Sequence, residues 1–87
     1  MKHAGKDALD ALEPLLAELR TLPALTERAR GTFYRKGRAF LHFHEDAAGL
    51  FADARLETEK DFARLRVSSA GERRALLAAI RKALKVP

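Results

Sequence analysis

The sequence predicts an α+β fold: an N-terminal helix, a four-stranded antiparallel meander, and a C-terminal helix on the same face of the sheet (α-β-β-β-β-α). Three observations lead there. Leucines recur at three- and four-residue steps near both ends of the chain. Between them the apolar period falls to two, the spacing of a strand with one buried face. Turn-forming residues then cut that middle region into short segments of strand length.

Residues 6–21 (KDALDALEPLLAELRT) place Leu9, Leu12, Leu16 and Leu19 on one helical face, with Leu15 widening the stripe. Asp7 is positioned to cap the start, and Asp10 and Glu13 suit the positive end of the helix dipole. Pro14 interrupts the pattern, because proline removes a hydrogen bond and clashes with the preceding turn; a kink or a second helix start is expected there. Leu22-Pro23 closes the segment. Residues 22–30 are compatible with a loop, a short helix or an extra strand.

The strands follow. Thr32–Arg35 and Arg38–His42 flank Lys36-Gly37, a two-residue hairpin turn with glycine second. Arg38–His44 and Leu50–Leu56 flank the turn-rich Glu45–Gly49. Leu50–Leu56 and Asp61–Val67 flank Glu57–Lys60. Residues 69–85 form the last helix: Ser69 and Glu72 have capping-box spacing, and Leu76, Leu77, Ile80 and Leu84 make the buried stripe. Arg73, Arg74, Arg81, Lys82 and Lys85 read as its solvated faces, the basic last turn matching the dipole.

These turns imply a register. With Lys36-Gly37 as a tight turn, Tyr34 faces Ala39 and Phe33 faces Phe40. Four-residue loops at 45–48 and 57–60 set Phe43 against Leu50, and Leu50 against Val67. One face then carries Tyr34, Ala39, Leu41, Phe43, Leu50, Ala52, Ala54, Leu56, Ala63, Leu65 and Val67, and should receive both helices. The other carries Phe33, Arg35, Arg38, Phe40, His42, His44, Phe51, Asp53, Arg55, Phe62, Arg64 and Arg66. Asp53 opposes Arg64, and Phe51 opposes Arg66 in cation–π reach. Arg35, Arg38 and Arg55 form a row of like charges beside Phe62 and Lys36, which calls for an anion, a partner's carboxylates or splayed side chains. A one-residue slip in any hairpin would undo that row.

The 87 residues support a single domain, 1–87, with a thin core. Hydrophobic residues make up 47% and charged residues 33%, the balance of a folded rather than a disordered chain. No apolar run reaches the roughly 18 residues of a membrane span, and MKHAGKDALD has no signal-peptide core, so a cytoplasmic location without membrane contact is expected. Zero cysteines exclude disulfides, thiol catalysis and cysteine-ligated metals. Lys+Arg number 17 against 12 Asp+Glu. The excess lies after Gly31, with 12 basic and 7 acidic residues there against five of each before it.

Three kinds of site follow. Phe33, Arg35, Arg38, Phe40, Phe51, Arg55, Phe62, Arg64 and Arg66 form a basic aromatic sheet face. Such a face suits a homodimer or another protein partner; alternatively it stacks the bases and tracks the phosphates of single-stranded nucleic acid or another polyanion. His42 and His44 share a strand face, and with Asp46 make a His-x-His-x-Asp metal candidate whose competing reading is partly exposed packing residues. No Gly-rich phosphate loop, Ser-His-Asp arrangement or carboxylate pair at a pocket is present. The expectation is therefore a non-enzymatic interaction module without cofactor or small-molecule substrate.

The stretch Phe33-Tyr34-Arg35-Lys36-Gly37-Arg38-Ala39-Phe40-Leu41-His42-Phe43-His44, followed by a Gly49-Leu50 strand, resembles the central hairpin of the small bacterial YjbR/MmcQ-like proteins. The similarity covers about a third of the chain, and hairpin patterns have low specificity. It implies a bacterial protein with an α-β-sheet-α layout and an open sheet face, DNA-binding-like at most, and supplies no catalytic residues. The chain departs from that family in being shorter, in lacking its tryptophan and in strand number.

Overall fold

A computed structural model describes every residue except 58 and 59. Two helices lie against an antiparallel sheet, as the α+β expectation requires, but the described residues form six strands rather than four. In chain order these are β1 (Lys2–His3), α1 (Lys6–Leu19), β2 (Thr26–Ala29), β3 (Thr32–Arg35), β4 (Arg38–Asp46), β5 (Gly49–Ala54), β6 (Ala63–Arg66) and α2 (Ala70–Leu84). Strands β2 to β6 form a meander, and β1 pairs with the far end of the long β4, alongside Glu45 and His44. Of the loop expected at 57–60, residues 58 and 59 lie outside the described residues. No described helix is long and apolar enough to cross a membrane.

Both added strands explain themselves locally. Thr26–Ala29 has no apolar alternation to announce a strand; it is a mostly exposed edge strand held by its ladder to β3. Its turn closes through Gly31 at φ +80°, whose N–H donates to the Glu27 carboxylate (2.8 Å). Two residues cannot display a period, so β1 is visible only through its partners. It in turn sets the start of α1: the Gly5 N–H donates to Glu45 Oε2 (2.6 Å), and Asp7, expected as the cap, lies in the first turn instead. Helix α1 runs through Pro14, which is exposed. At α2 the capping box forms as its spacing predicts, with Ser69 Oγ accepting from Glu72 N and Glu72 Oε1 accepting from Ser69 N.

One buried cluster joins Leu12, Leu15, Leu16 and Leu19 of α1 to Leu76, Leu77, Ile80 and Leu84 of α2 and to the inner sheet face. The register decides which residues that face contains. Asp53 opposes Arg64 and Phe51 opposes Arg66, as expected. Between β4 and β5 the loop is tighter than expected: Asp46 pairs with Gly49, so Phe43 opposes Ala52 instead of Leu50. That two-residue shift leaves every side chain on its expected face, because strand side chains alternate with period two. Between β3 and β4 the tight turn forms, with Lys36 at φ 51° and Gly37 at φ 78°, and Tyr34 opposes Ala39. Beyond it Phe33 opposes Leu41, leaving Phe40 as the extra residue of a β-bulge.

This bulge is the one-residue slip that overturns part of the expected face. Phe33 and Phe40 are 1% and 2% exposed and belong to the core. Neither sits on an open surface. Tyr34 moves the other way: it is half-buried outside the core cluster, under the Arg28 guanidinium (4.1 Å to the ring centroid).

Candidate functional site

Away from the helices the sheet displays Tyr34, His42, His44, Phe51, Asp53, Phe62, Arg64 and Arg66, with Arg55 at its margin, as the registers of β3 to β6 require. Two groupings stand out. One is a cluster of cations around the β3–β4 turn, and the other is a cluster of histidines around a buried aspartate.

The cation cluster arises from the turn and the bulge together. The tight turn sets Arg35 directly opposite Arg38 and puts Lys36 at the tip. Arg55, the first residue after β5, reaches the bulged segment: its backbone N–H donates to Phe40 O (3.0 Å) and its Nε to Ala39 O (2.7 Å). Arg55 Nη1 donates to Lys60 O (2.8 Å), and its guanidinium lies 4.2 Å from the Phe62 ring centroid. The outcome is a pocket of about 120 Å³ lined, among the described residues, by Arg35, Lys36, Arg38, Ala39, Phe40 and Arg55.

Other arginines carry carboxylates within the fold. Arg20 binds Glu13 and Glu27; Arg30 binds Asp10 (2.8 Å) and Glu13 (2.8 Å). Arg66 binds Glu72 (3.2 Å) and also donates to the Ala48 carbonyl. No ion pair among the described residues reaches Arg35 or Lys36. Like charges placed directly opposite one another raise the energy of a strand pair, and a bound anion relieves it.

The histidine cluster sits at the other end of β4. His42 and His44 alternate on one face of that strand, and Asp53 opposes His42 from β5. Asp53 is only 6% exposed and accepts two hydrogen bonds from Arg64, Nε to Oδ1 and Nη2 to Oδ2, both 2.7 Å. The Arg64 guanidinium holds this carboxyl below the ordinary carboxylate range despite its burial. Asp53 Oδ2 lies 3.4 Å from His42 Nε2 and 3.3 Å from His44 Nδ1. Burial pushes both imidazoles below the ordinary 6.5, outweighing the Asp53 carboxylate, which pulls them up; both are neutral at pH 7. His3, brought in by β1, stacks on His44 at 4.6 Å between ring centroids, and Phe62 meets the His42 ring edge-on at 4.9 Å.

Of the sheet-face residues read from the sequence, the structure gathers Arg35, Arg38 and Arg55, with Lys36, at one pocket and leaves Phe62, 37% exposed, beside it. Arg64 and Arg66 stand on the face but carry their own carboxylates, and Arg66 binds Glu72 rather than stacking on Phe51. Asp46 does not join the histidines; its Oδ1 accepts from Ala48 N (2.7 Å) to close the β4–β5 turn. Asp53 takes the place by the histidines that the sequence offered to Asp46. His3 had no signal beyond its residue type, since only the pairing of β1 brings it near. No protein-family model, curated protein or solved structure matches the chain.

Proposed function

We propose that this chain is a non-enzymatic binding module for polyanions, with single-stranded nucleic acid the class that its open face suits. The observation carrying this is the pocket at the β3–β4 turn, where Arg35, Lys36, Arg38 and Arg55 converge. Phosphate oxygens suit such a site, because arginine forks bind them bidentately and lysine adds a point charge. From the pocket the surface continues through Arg55 over Phe62 to Arg64 and Arg66, an aromatic and arginine path on which bases stack. Burial of Phe33 and Phe40 takes two aromatic rings away from self-association and base stacking alike, so the cations of the turn dominate what the face still offers.

The test is fluorescence anisotropy with a labelled mixed-sequence single-stranded oligonucleotide across a salt series. Neutralising three or four phosphates gives a slope of log K against log salt of about −2 to −3. Arg38→Glu should weaken binding about ten-fold or more and flatten that slope by about one. Absent or salt-independent binding removes the proposal. If light scattering then shows a stable dimer, the face is a protein interface centred on the exposed Phe62.

A further inference from the structure

The histidine cluster carries chemistry that polyanion binding does not use. We propose that His42, His44 and Asp53 bind a divalent transition-metal ion, zinc by the character of the donors, through His42 Nε2, His44 Nδ1 and Asp53 Oδ2. The three donor atoms lie within 4.8 Å of one another. Two of their separations, 3.4 Å and 3.3 Å, lie beyond the usual hydrogen-bond optimum of roughly 2.7–3.2 Å. They match the edge of a coordination tetrahedron. Metal–ligand bonds of about 2.0–2.1 Å at tetrahedral angles set ligand atoms about 3.3 Å apart. The third separation is no more than 4.8 Å, and the terminal torsion of an imidazole is broad enough to let its nitrogen adjust toward a shared ion.

A second observation is independent of that spacing. His44 Nδ1 is fully buried and has no hydrogen-bond partner, a costly state for an imidazole nitrogen. Hydrogen bonding within the protein does not account for it, whereas an ion between Nδ1 and Asp53 Oδ2 does. Asp53 is already held by Arg64 through Oδ1 and Oδ2, and a carboxylate fixed by an outer hydrogen bond while one oxygen faces the metal is a recurrent ligand arrangement. The scaffold is rigid, since β4 and β5 are paired without irregularity from Leu41 to Gly49. All three histidines of the chain gather here, with His3 packed on the His44 ring rather than placed as a ligand. Two imidazoles and one carboxylate are borderline donors that suit zinc, and they leave a fourth position for water.

The full chain, stripped with chelator, is titrated with zinc by calorimetry and with cobalt(II) by visible absorption. One ion should bind per chain, cobalt should show the intense bands of a four- or five-coordinate site, and zinc at about 100 times Kd should raise Tm by about 10–20 °C. His42→Ala and His44→Ala should each weaken binding by at least about ten-fold. Both are tolerable changes at half-buried positions, so the test does not depend on Asp53→Asn remaining folded. Asp46→Asn should leave affinity within about two-fold. The proposal is overturned if no ion binds at one per chain, if the two histidine variants bind like the parent, or if His3→Ala alone abolishes binding and so moves the site to the terminus. None of these residues lines the cationic pocket, so the oligonucleotide assay and the metal titration fail independently.

Discussion

The bulge at Phe40 decides what the open face contains, and core substitutions test it directly. Phe33 and Phe40 are 1% and 2% exposed, whereas Phe62 is 37% exposed. An aromatic side chain buries roughly 150–250 Å², which at about 25 cal/mol per Å² corresponds to about 4–6 kcal/mol of transfer free energy when burial is complete. Phe33→Ala or Phe40→Ala should therefore cost about 3–5 kcal/mol, the alanine keeping a little of the contact and the cavity adding its own penalty. Phe62→Ala, with solvent ready to fill the gap, should cost about 1 kcal/mol. The larger loss is a sizeable share of the roughly 4–13 kcal/mol available to a domain of this size. Phe33→Leu and Phe40→Leu, at about 1–2 kcal/mol, therefore keep the ordering measurable if the alanine variants do not fold. The assay is urea unfolding followed by circular dichroism, comparing midpoints at constant m. If Phe33→Leu and Phe40→Leu cost no more than Phe62→Leu, the bulge is absent. Uninterrupted alternation would then return both rings to the open face.

Two further outcomes follow from local geometry and charge. Gly49 has φ +132°, and a β-carbon there would collide with Ser68 Oγ, which accepts the Leu50 N–H (2.9 Å). Gly49→Ala should thus cost about 1–3 kcal/mol by thermal denaturation, and an unchanged Tm would contradict the turn conformation. Asp10, Glu13, Glu27 and Glu72 are all held below their ordinary values of 3.8 or 4.5, mainly by bonds from Lys6, Arg30, Arg20 and the Ser69 N–H respectively. A lowered folded value means that the stability these groups confer is complete above about pH 5 and is lost as pH falls through the folded values. Tm should fall slightly as pH drops through about 6.5, where His42 and His44 resist a proton that the unfolded chain accepts, and more steeply below pH 4.5, with Glu13→Gln shrinking only the lower decline; a Tm that holds to pH 3 would contradict the network around α1.

By itself the sequence determined the two helices, because Leu12, Leu16 and Leu19, and Leu76, Ile80 and Leu84, repeat at a period no strand shares. It determined the Ser69–Glu72 cap and the Lys36-Gly37 turn, which depend on bonds and dihedral angles only a few residues apart. It also determined the face of every residue from Leu41 to Arg66 in the β4, β5 and β6 ladders, since even an error of two residues at Phe43 preserves parity. The pairing of Arg35 with Arg38 was legible because the turn alone sets it, whereas Arg55 joins them through the bulge and the shifted β4–β5 pairing, which set it against Phe40 rather than Arg38. The tertiary structure decided what local pattern cannot carry. Phe40 bulges because two large rings, its own and that of Phe33, gain more from joining the core beneath α1 and α2 than the lost ladder pairing costs, and that balance depends on helices distant in the chain. Strands β1 and β2 have no alternation of their own and exist through pairing with β4 and β3. The histidine cluster needs both kinds of information. His42 and His44 declare their shared face by spacing, but Asp53 and His3 reach them only across strands, where sequence distance says nothing about proximity.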